Sequence, residues 1–385
     1  MKSNRLTIVV ALVSLAAIVA LVCYYRTISP SSAHTGDTLQ QPFALKRYDA
    51  KLWRERRSQL VAELKRSIGI ERLWKLRGEL KVEVASSSEK ELYRIENIVI
   101  EPVERWYVSG SVFIPKDADT PKPAVLLLPG HFGQGSRFFL ENKRISHALA
   151  SMGFVVLAID MYGFPERASA ETKHEAAFRR HGADMWAAHR RLLKLGMAAI
   201  AIPVFEATSA LDYLTMRPEV DRYRIGVMGL SGGATSAIAV ALLDERVRAV
   251  AAAGYSHSFI QGCPCGLLPP EWRDDPQLVL ELYAALAPKY ALFIAERPVD
   301  MRFVRHIYTI LGARRKLHIF RLFESGQHCE LGPQGRGIIV EFFAESLGYP
   351  DKLPSDDELL CFPEGMPQDR MTLDELVSLI ERGSE

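Results

Sequence analysis

No sign of charge dominates this chain. Its 48 Lys and Arg are nearly matched by 46 Asp and Glu, for a formal net charge of +2. Composition therefore gives no reason to invoke nucleic acid or a strongly acidic substrate. Basic residues do cluster at 51–57 and 179–191, but acidic or apolar residues interrupt them, as on solvated helix faces. Cysteine is scarce, with 5 in 385 residues. Cys263 and Cys265 form an isolated Cys-Pro-Cys, without the roughly four suitably spaced ligands that a zinc site needs. Together with Cys329 and Cys361 they are open to pairing in an oxidising compartment or to remaining free thiols. No internal repeat is evident.

A content of 48% hydrophobic and 24% charged residues is that of a globular protein with a large core. The first thirty residues stand apart. Lys2 and Arg5 precede Leu6 to Tyr25, a nearly uninterrupted apolar run. Its length matches a bilayer core of about 30 Å and exceeds the roughly 7–15 residues of a signal-peptide core. Arg26 follows, then a linker rich in Ser, Pro, Thr and Gly to about Pro42. The expectation is an uncleaved single-pass anchor with the amino terminus in the cytoplasm and the remainder outside it, periplasmic or extracellular. Cleavage near Ser31-Ser-Ala33, releasing a secreted protein, is the alternative.

The pattern divides the chain into an anchor or signal segment (1–30), a linker and helical arm (31–90), a catalytic region (91–348) and a tail (349–385). Residues 44–78 read as a polar helical arm with Trp53, Leu60, Leu64, Leu73, Trp74 and Leu76 as apolar stripes. Tyr93 to Ile100 and Trp106 to Ile114 alternate as an antiparallel hairpin at a sheet edge. Buried strands then alternate with helices: strands at 124–129, 154–160, 225–228, 247–253, 291–295 and 317–323, with helices between them. That alternation implies a mostly parallel sheet covered on both faces. The helix spanning 196–215 should kink near Pro203. The excursion from Met161 to Leu195 is a candidate roof. The tail ends in a short helix from Thr372 to Ile380.

The informative stretch is Arg224-Ile-Gly-Val-Met-Gly-Leu-Ser-Gly-Gly-Ala234. An apolar strand, a serine flanked by Gly229, Gly232 and Gly233, and an alanine-rich helix make the context in which G-x-S-x-G is a nucleophile elbow. The competing reading of Ser231 is a helix N-cap in an ordinary turn. A serine hydroxyl needs a base, and the base needs an orienting acid. Behind an elbow the order is serine, acid, histidine. Glu296-Arg-Pro-Val-Asp300 follows one later strand and Glu324-Ser-Gly-Gln-His328 the next. Asp300 and His328 are the candidates, with Glu296 as substitute acid; Asp300 could instead cap the helix after it. Backbone N–H groups of Gly232 and of His131 or Phe132, in the loop from Gly130, are the candidate oxyanion donors. Asp160 reads as a hydrogen-bonded strand-end residue. Arg167, His174, His181 and His189 could line or cover the pocket, with no spacing that makes a metal site.

Leu-Leu-Pro-Gly-His-Phe-Gly-Gln-Gly, Gly-Phe-Val-Val-Leu-Ala-Ile-Asp-Met-Tyr-Gly-Phe-Pro-Glu-Arg, Ala-Leu-Asp-Tyr-Leu with Arg-Pro-Glu-Val-Asp, and Gly-Leu-Ser-Gly-Gly extend over roughly 95–348. Through them the chain resembles the α/β-hydrolase superfamily, most closely its dienelactone-hydrolase and acetyl-xylan-esterase-like branch. The resemblance implies an α/β-hydrolase fold with Ser231, His328 and Asp300 as the triad. It also implies acyl-enzyme cleavage of carboxylic esters, acetylated sugars or polysaccharides among them, with no metal or organic cofactor. The chain departs from the pattern after the 291–295 strand, where Ala-Glu-Arg-Pro-Val-Asp replaces a glycine, two residues and then aspartate. A prolyl-oligopeptidase-like peptidase is the runner-up, less expected because the roughly ninety residues before the hydrolase region offer no obvious propeller-length stretch. A non-catalytic envelope binding protein on the same fold is the second alternative.

Overall fold

A computed structural model describes residues 48–116, 121–130, 136–167, 174–254, 268–273, 275–295, 299–321, 331–343, 366–367 and 369–383. Residues from Ala44 to Glu385 form one compact unit, apart from Met1–Phe43. The expected anchor, Leu6 to Tyr25, lies outside the described residues, as do all the cysteines. Among the described residues no helix is long and apolar enough to cross a membrane.

The polar helical arm read at 44–78 is two helices, α1 (Ala50–Ile68) and α2 (Ile70–Leu76). Gly69 makes the break: it caps α1 in a left-handed conformation with φ 70°. A Cβ there would lie 2.4 Å from Met197 Cγ, so glycine answers both the conformation and the close approach. Trp53 is fully buried, edge-on to Tyr48 and Phe303. Arg56 Nε donates to the buried Glu281 at 2.8 Å. Burial of Trp53, Leu60, Leu64 and Leu73 shows that the arm belongs to the body.

Three antiparallel strands follow: β1 (Lys81–Glu89), β2 (Tyr93–Val103) and β3 (Trp106–Pro115). The sequence suggested a two-stranded hairpin. The additional β1 was illegible because it is a solvated edge, largely exposed and ending in Ser-Ser-Ser-Glu, with no buried face to impose a period of two. After it come β4 (Lys122–Leu128), α3 (Leu140–Ser151), β5 (Val155–Ile159), α4 (His174–Lys194) and α5 (Ala201–Met216). Then follow β6 (Val220–Leu230), α6 (Gly232–Leu243), β7 (Val247–Ala253), α7 (Pro270–Arg273), α8 (Pro276–Ala285) and β8 (Tyr290–Ala295). The remaining elements are α9 (Arg302–Ile310), β9 (Leu317–Arg321), α10 (Gly332–Phe343) and α11 (Leu373–Arg382). Pro203 does not kink α5. The helix begins at Ala201, which leaves the proline in the first turn, where its missing N–H needs no partner.

The nine strands form one sheet in the order β1-β2-β3-β5-β4-β6-β7-β8-β9. β3 joins β5 antiparallel, and from β5 to β9 every pairing is parallel. This is the mostly parallel α/β sheet with an antiparallel amino-terminal edge. Alternate positions Val125 and Leu127, Val156 and Ala158, Met228 and Leu230, and Leu292 and Ile294 face a core closed by Ile145, Leu149 and Ile339 of α3 and α10. The intervening positions face the other helix layer, where Phe293 meets Tyr283 of α8 at 5.3 Å between ring centroids. The tail helix α11 is docked. Leu376, Val377 and Ile380 are buried, and Arg191 of α4 reaches Asp374, Ser378 and Glu381.

Candidate active site

β6 lies between β4 and β7, with Gly229 opposite both Leu128 and Ala252. The chain leaves it through Ser231 at φ 50°, ψ −118°. Among the described non-glycine residues only Arg105 and Ser231 have positive φ. Such a conformation costs of the order of 1–3 kcal/mol and persists only where the surroundings impose it. Here they do. The Ser231 N–H donates to Ala253 O at 2.8 Å, and Ser231 O accepts from Ala234 N at 2.9 Å. A Cβ on Gly229 would lie 2.1 Å from Gly233 O, and one on Gly233 would lie 2.1 Å from Leu128 O. The serine side chain makes no N-cap hydrogen bond. Ser231 is the N-cap residue of α6 by position, without a capping side-chain bond, and Gly232, an expected oxyanion donor, opens α6 beside it.

Asp300 follows β8 and stands one residue before Met301, the N-cap of α9. It accepts from the Arg302 N–H at 3.0 Å, and its two oxygens are gripped by Arg302 Nε at 2.9 Å and Nη2 at 2.6 Å. That hydrogen bonding holds its carboxyl below the usual carboxylate range. Asp300 thus satisfies the first N–H of α9 from outside the helix, without being its N-cap residue. Glu296, His328, His131 and Phe132 lie outside the described residues, and so do the side chains of His174 and His181. His189 is buried in α4, where Nδ1 accepts from Ala199 N at 3.3 Å.

Behind the elbow is a group that the sequence did not disclose. Asp160, at the end of β5, accepts from Ser109 Oγ at 2.8 Å and from Arg137 N at 3.1 Å, and it pairs with the Arg137 guanidinium. Arg137 Nη2 donates to Glu166 at 2.5 Å. Arg167, expected to face the pocket, is buried instead: it donates to Asp160 O at 2.9 Å and to Glu206 at 2.6 and 3.1 Å. Trp106 Nε1 donates to Glu206 at 2.9 Å. Burial, reinforced by Glu166 and opposed by Arg137, pushes the Asp160 carboxyl up to about 6. Asp160 is the hydrogen-bonded strand-end residue that the sequence suggested. A signal for Glu206 did exist, since it is the lone charge in the apolar run from Ala198 to Leu211.

A family model described as "Dienelactone hydrolase family" matches residues 108–289. YtaP of Bacillus subtilis (strain 168), assigned by name alone as a hydrolase, is 30% identical over 178 residues, or 44% of this chain and 55% of YtaP. The match thus spans about half of that relative's length. Among solved structures, Methylesterase BT1017 is similar over 92% of this chain and 80% of its own, with a TM-score of 0.69 and 24% identity. A Bacteroides fragilis NCTC 9343 protein, assigned by name alone to the acetyl xylan esterases, covers 88% of this chain and 90% of its own, with a TM-score of 0.61 and 17% identity. At these identities the structural likeness speaks to the fold. Residues 108–289 are thus similar to the dienelactone hydrolase family, and the mostly parallel sheet around them has the α/β-hydrolase fold of these solved structures.

Proposed function

We propose that this chain is a serine hydrolase that cleaves carboxylic esters through an acyl-enzyme. The observation that carries the reading is the strained backbone of Ser231, held by two glycines that admit no Cβ. Strain of this kind has a use where a hydroxyl must be presented past the sheet edge to a carbonyl carbon. His328 takes the proton as Ser231 attacks. Gly232 and the 131–132 stretch receive the oxyanion through their N–H groups, and water then releases the acid. Asp300 orients the imidazole while sharing its carboxylate with Arg302, and Glu296 is the alternative acid. The esterase neighbours favour small-molecule or carbohydrate esters, acetylated sugars included. The hydrophobic 6–25 segment supports placement outside the cytoplasm on an anchor, which sequencing of the mature amino terminus would test.

The grip of Arg302 on Asp300 motivates a second reading, a binding protein on a hydrolase fold that lacks a working triad. A fluorophosphonate probe separates the two. The esterase reading expects labelling at Ser231 that vanishes in Ser231→Ala and in His328→Ala. Folded protein that stays unlabelled across pH would establish the binding module. Hydrolysis of acyl esters but not of peptide amides would set the esterase apart from a peptidase.

A further inference from the structure

Five ionisable side chains are buried together behind the elbow: Arg137, Asp160, Glu166, Arg167 and Glu206, none more than 2% exposed. Three carboxylates and two guanidiniums are paired within this group. Buried ion pairs are poor stabilisers; apolar replacements of similar volume are often neutral or better. What such a cluster does supply is fixed geometry, and its position says for what.

Asp160 and Glu206 line a small cavity with Leu128, Pro129 and Ser236. Leu128 and Pro129 are the residues whose carbonyls a Gly233 Cβ would strike, so the end of β4 is the wall against which the elbow is wedged. Ser236 Oγ donates at 3.2 Å to Gly232 O, on the residue directly after the serine. Arg137 is bound to Asp160 through both its backbone N–H and its guanidinium. The cluster therefore borders both pieces of chain that set the direction of the Ser231 hydroxyl.

We propose that Arg137 and Asp160 are positioning residues for Ser231: the Arg137–Asp160 clamp, braced by Glu166, fixes the end of β5 where Asp160 borders Leu128 and Pro129, the wall of the elbow, and so holds the elbow in its attacking geometry. The proposal rests on the acyl-transfer reading above. The groups facing Asp160 are Arg137, Glu166, the Ser109 hydroxyl and Arg167 on its carbonyl, with Glu206 beyond Arg167. Burial favours the neutral form of Asp160, so a proton entering the cluster lands there and loosens its hold on Arg137.

The test measures the rate of fluorophosphonate labelling and the kcat and KM of ester hydrolysis against pH. It uses the full chain and folded Arg137→Met and Asp160→Asn variants. Arg137→Met is expected to lower the labelling rate and kcat by about 10–100-fold, with KM changing far less, as for a displaced nucleophile. On the acid side the wild-type log rate should fall with a slope of about 2, one proton for the histidine and one for Asp160, and Asp160→Asn should reduce it to about 1. If Arg137→Met does not fold, the slope in Asp160→Asn decides. Folded variants that match the wild type in rate and slope overturn the proposal and leave the esterase reading standing. Failure of both variants to fold makes the cluster a folding element and also overturns it. A wild type that never labels removes the acyl-transfer reading, and this proposal with it.

Discussion

At Ser231 the chain accepts a backbone conformation that most residues avoid, and the neighbouring glycines are its condition. Gly233→Ala would drive a methyl group to 2.1 Å from Leu128 O, a backbone atom that cannot swing away. Loss of about 3 kcal/mol or more of stability, together with probe labelling, is expected in urea denaturation. Gly337 in α10 is the control, because a Cβ there meets nothing within 4 Å. Gly337→Ala should gain about 0.5–1 kcal/mol, as helix propensity dictates. The titration of Asp160 has an equally definite sign. Its folded carboxyl is pushed up to about 6 from an ordinary value of 3.8, so between those pH values the folded state binds the extra proton. The stabilisation from that proton is complete below about 3.8 and lost as pH rises through about 6. Denaturation of wild type and Asp160→Asn between about pH 4 and 7 should show wild type gaining on the variant as pH falls. A difference independent of pH would remove the shift.

Elements were legible from sequence wherever one face had to be buried. The parallel strands announce themselves as apolar runs, and α8 and α9 fall between buried strands as the alternation implied. β1 was illegible because solvent covers most of it. The arm reads as polar with apolar stripes, and Trp53 on one of those stripes is as buried as any strand residue. Trp53→Ala is expected to cost about 3–5 kcal/mol, measured by thermal and chemical unfolding. The labelling rate at Ser231 should be retained while the protein remains folded, since the tryptophan contacts Tyr48 and Phe303 rather than the elbow. A second clue to arm docking lay in α8: Glu281 is a lone acid in an apolar helix, and Arg56 and Tyr48 are its partners. Sequence shows the isolated charge, but it cannot say which distant cation answers it.

On the scale of the molecule, the arm, sheet and tail helix behave as one unit, separate from residues 1–43. A chain beginning at Ala44 should therefore unfold with the same midpoint as the full chain, whereas removal of the 366–385 segment should lower it, because Leu376 and Ile380 leave the interior. Differential scanning calorimetry checks both. The order of strands and helices, the elbow and the mostly parallel sheet followed from the sequence, because hydrophobic period and glycine placement are local consequences of geometry. The strain at Ser231, the engagement of Asp300 by Arg302 and the assembly of Arg137, Asp160, Glu166, Arg167 and Glu206 were decided only in three dimensions. Those features depend on which side chains meet across strands and helices far apart in the chain, and a buried charge finds its counter-charge only when the fold has closed around both.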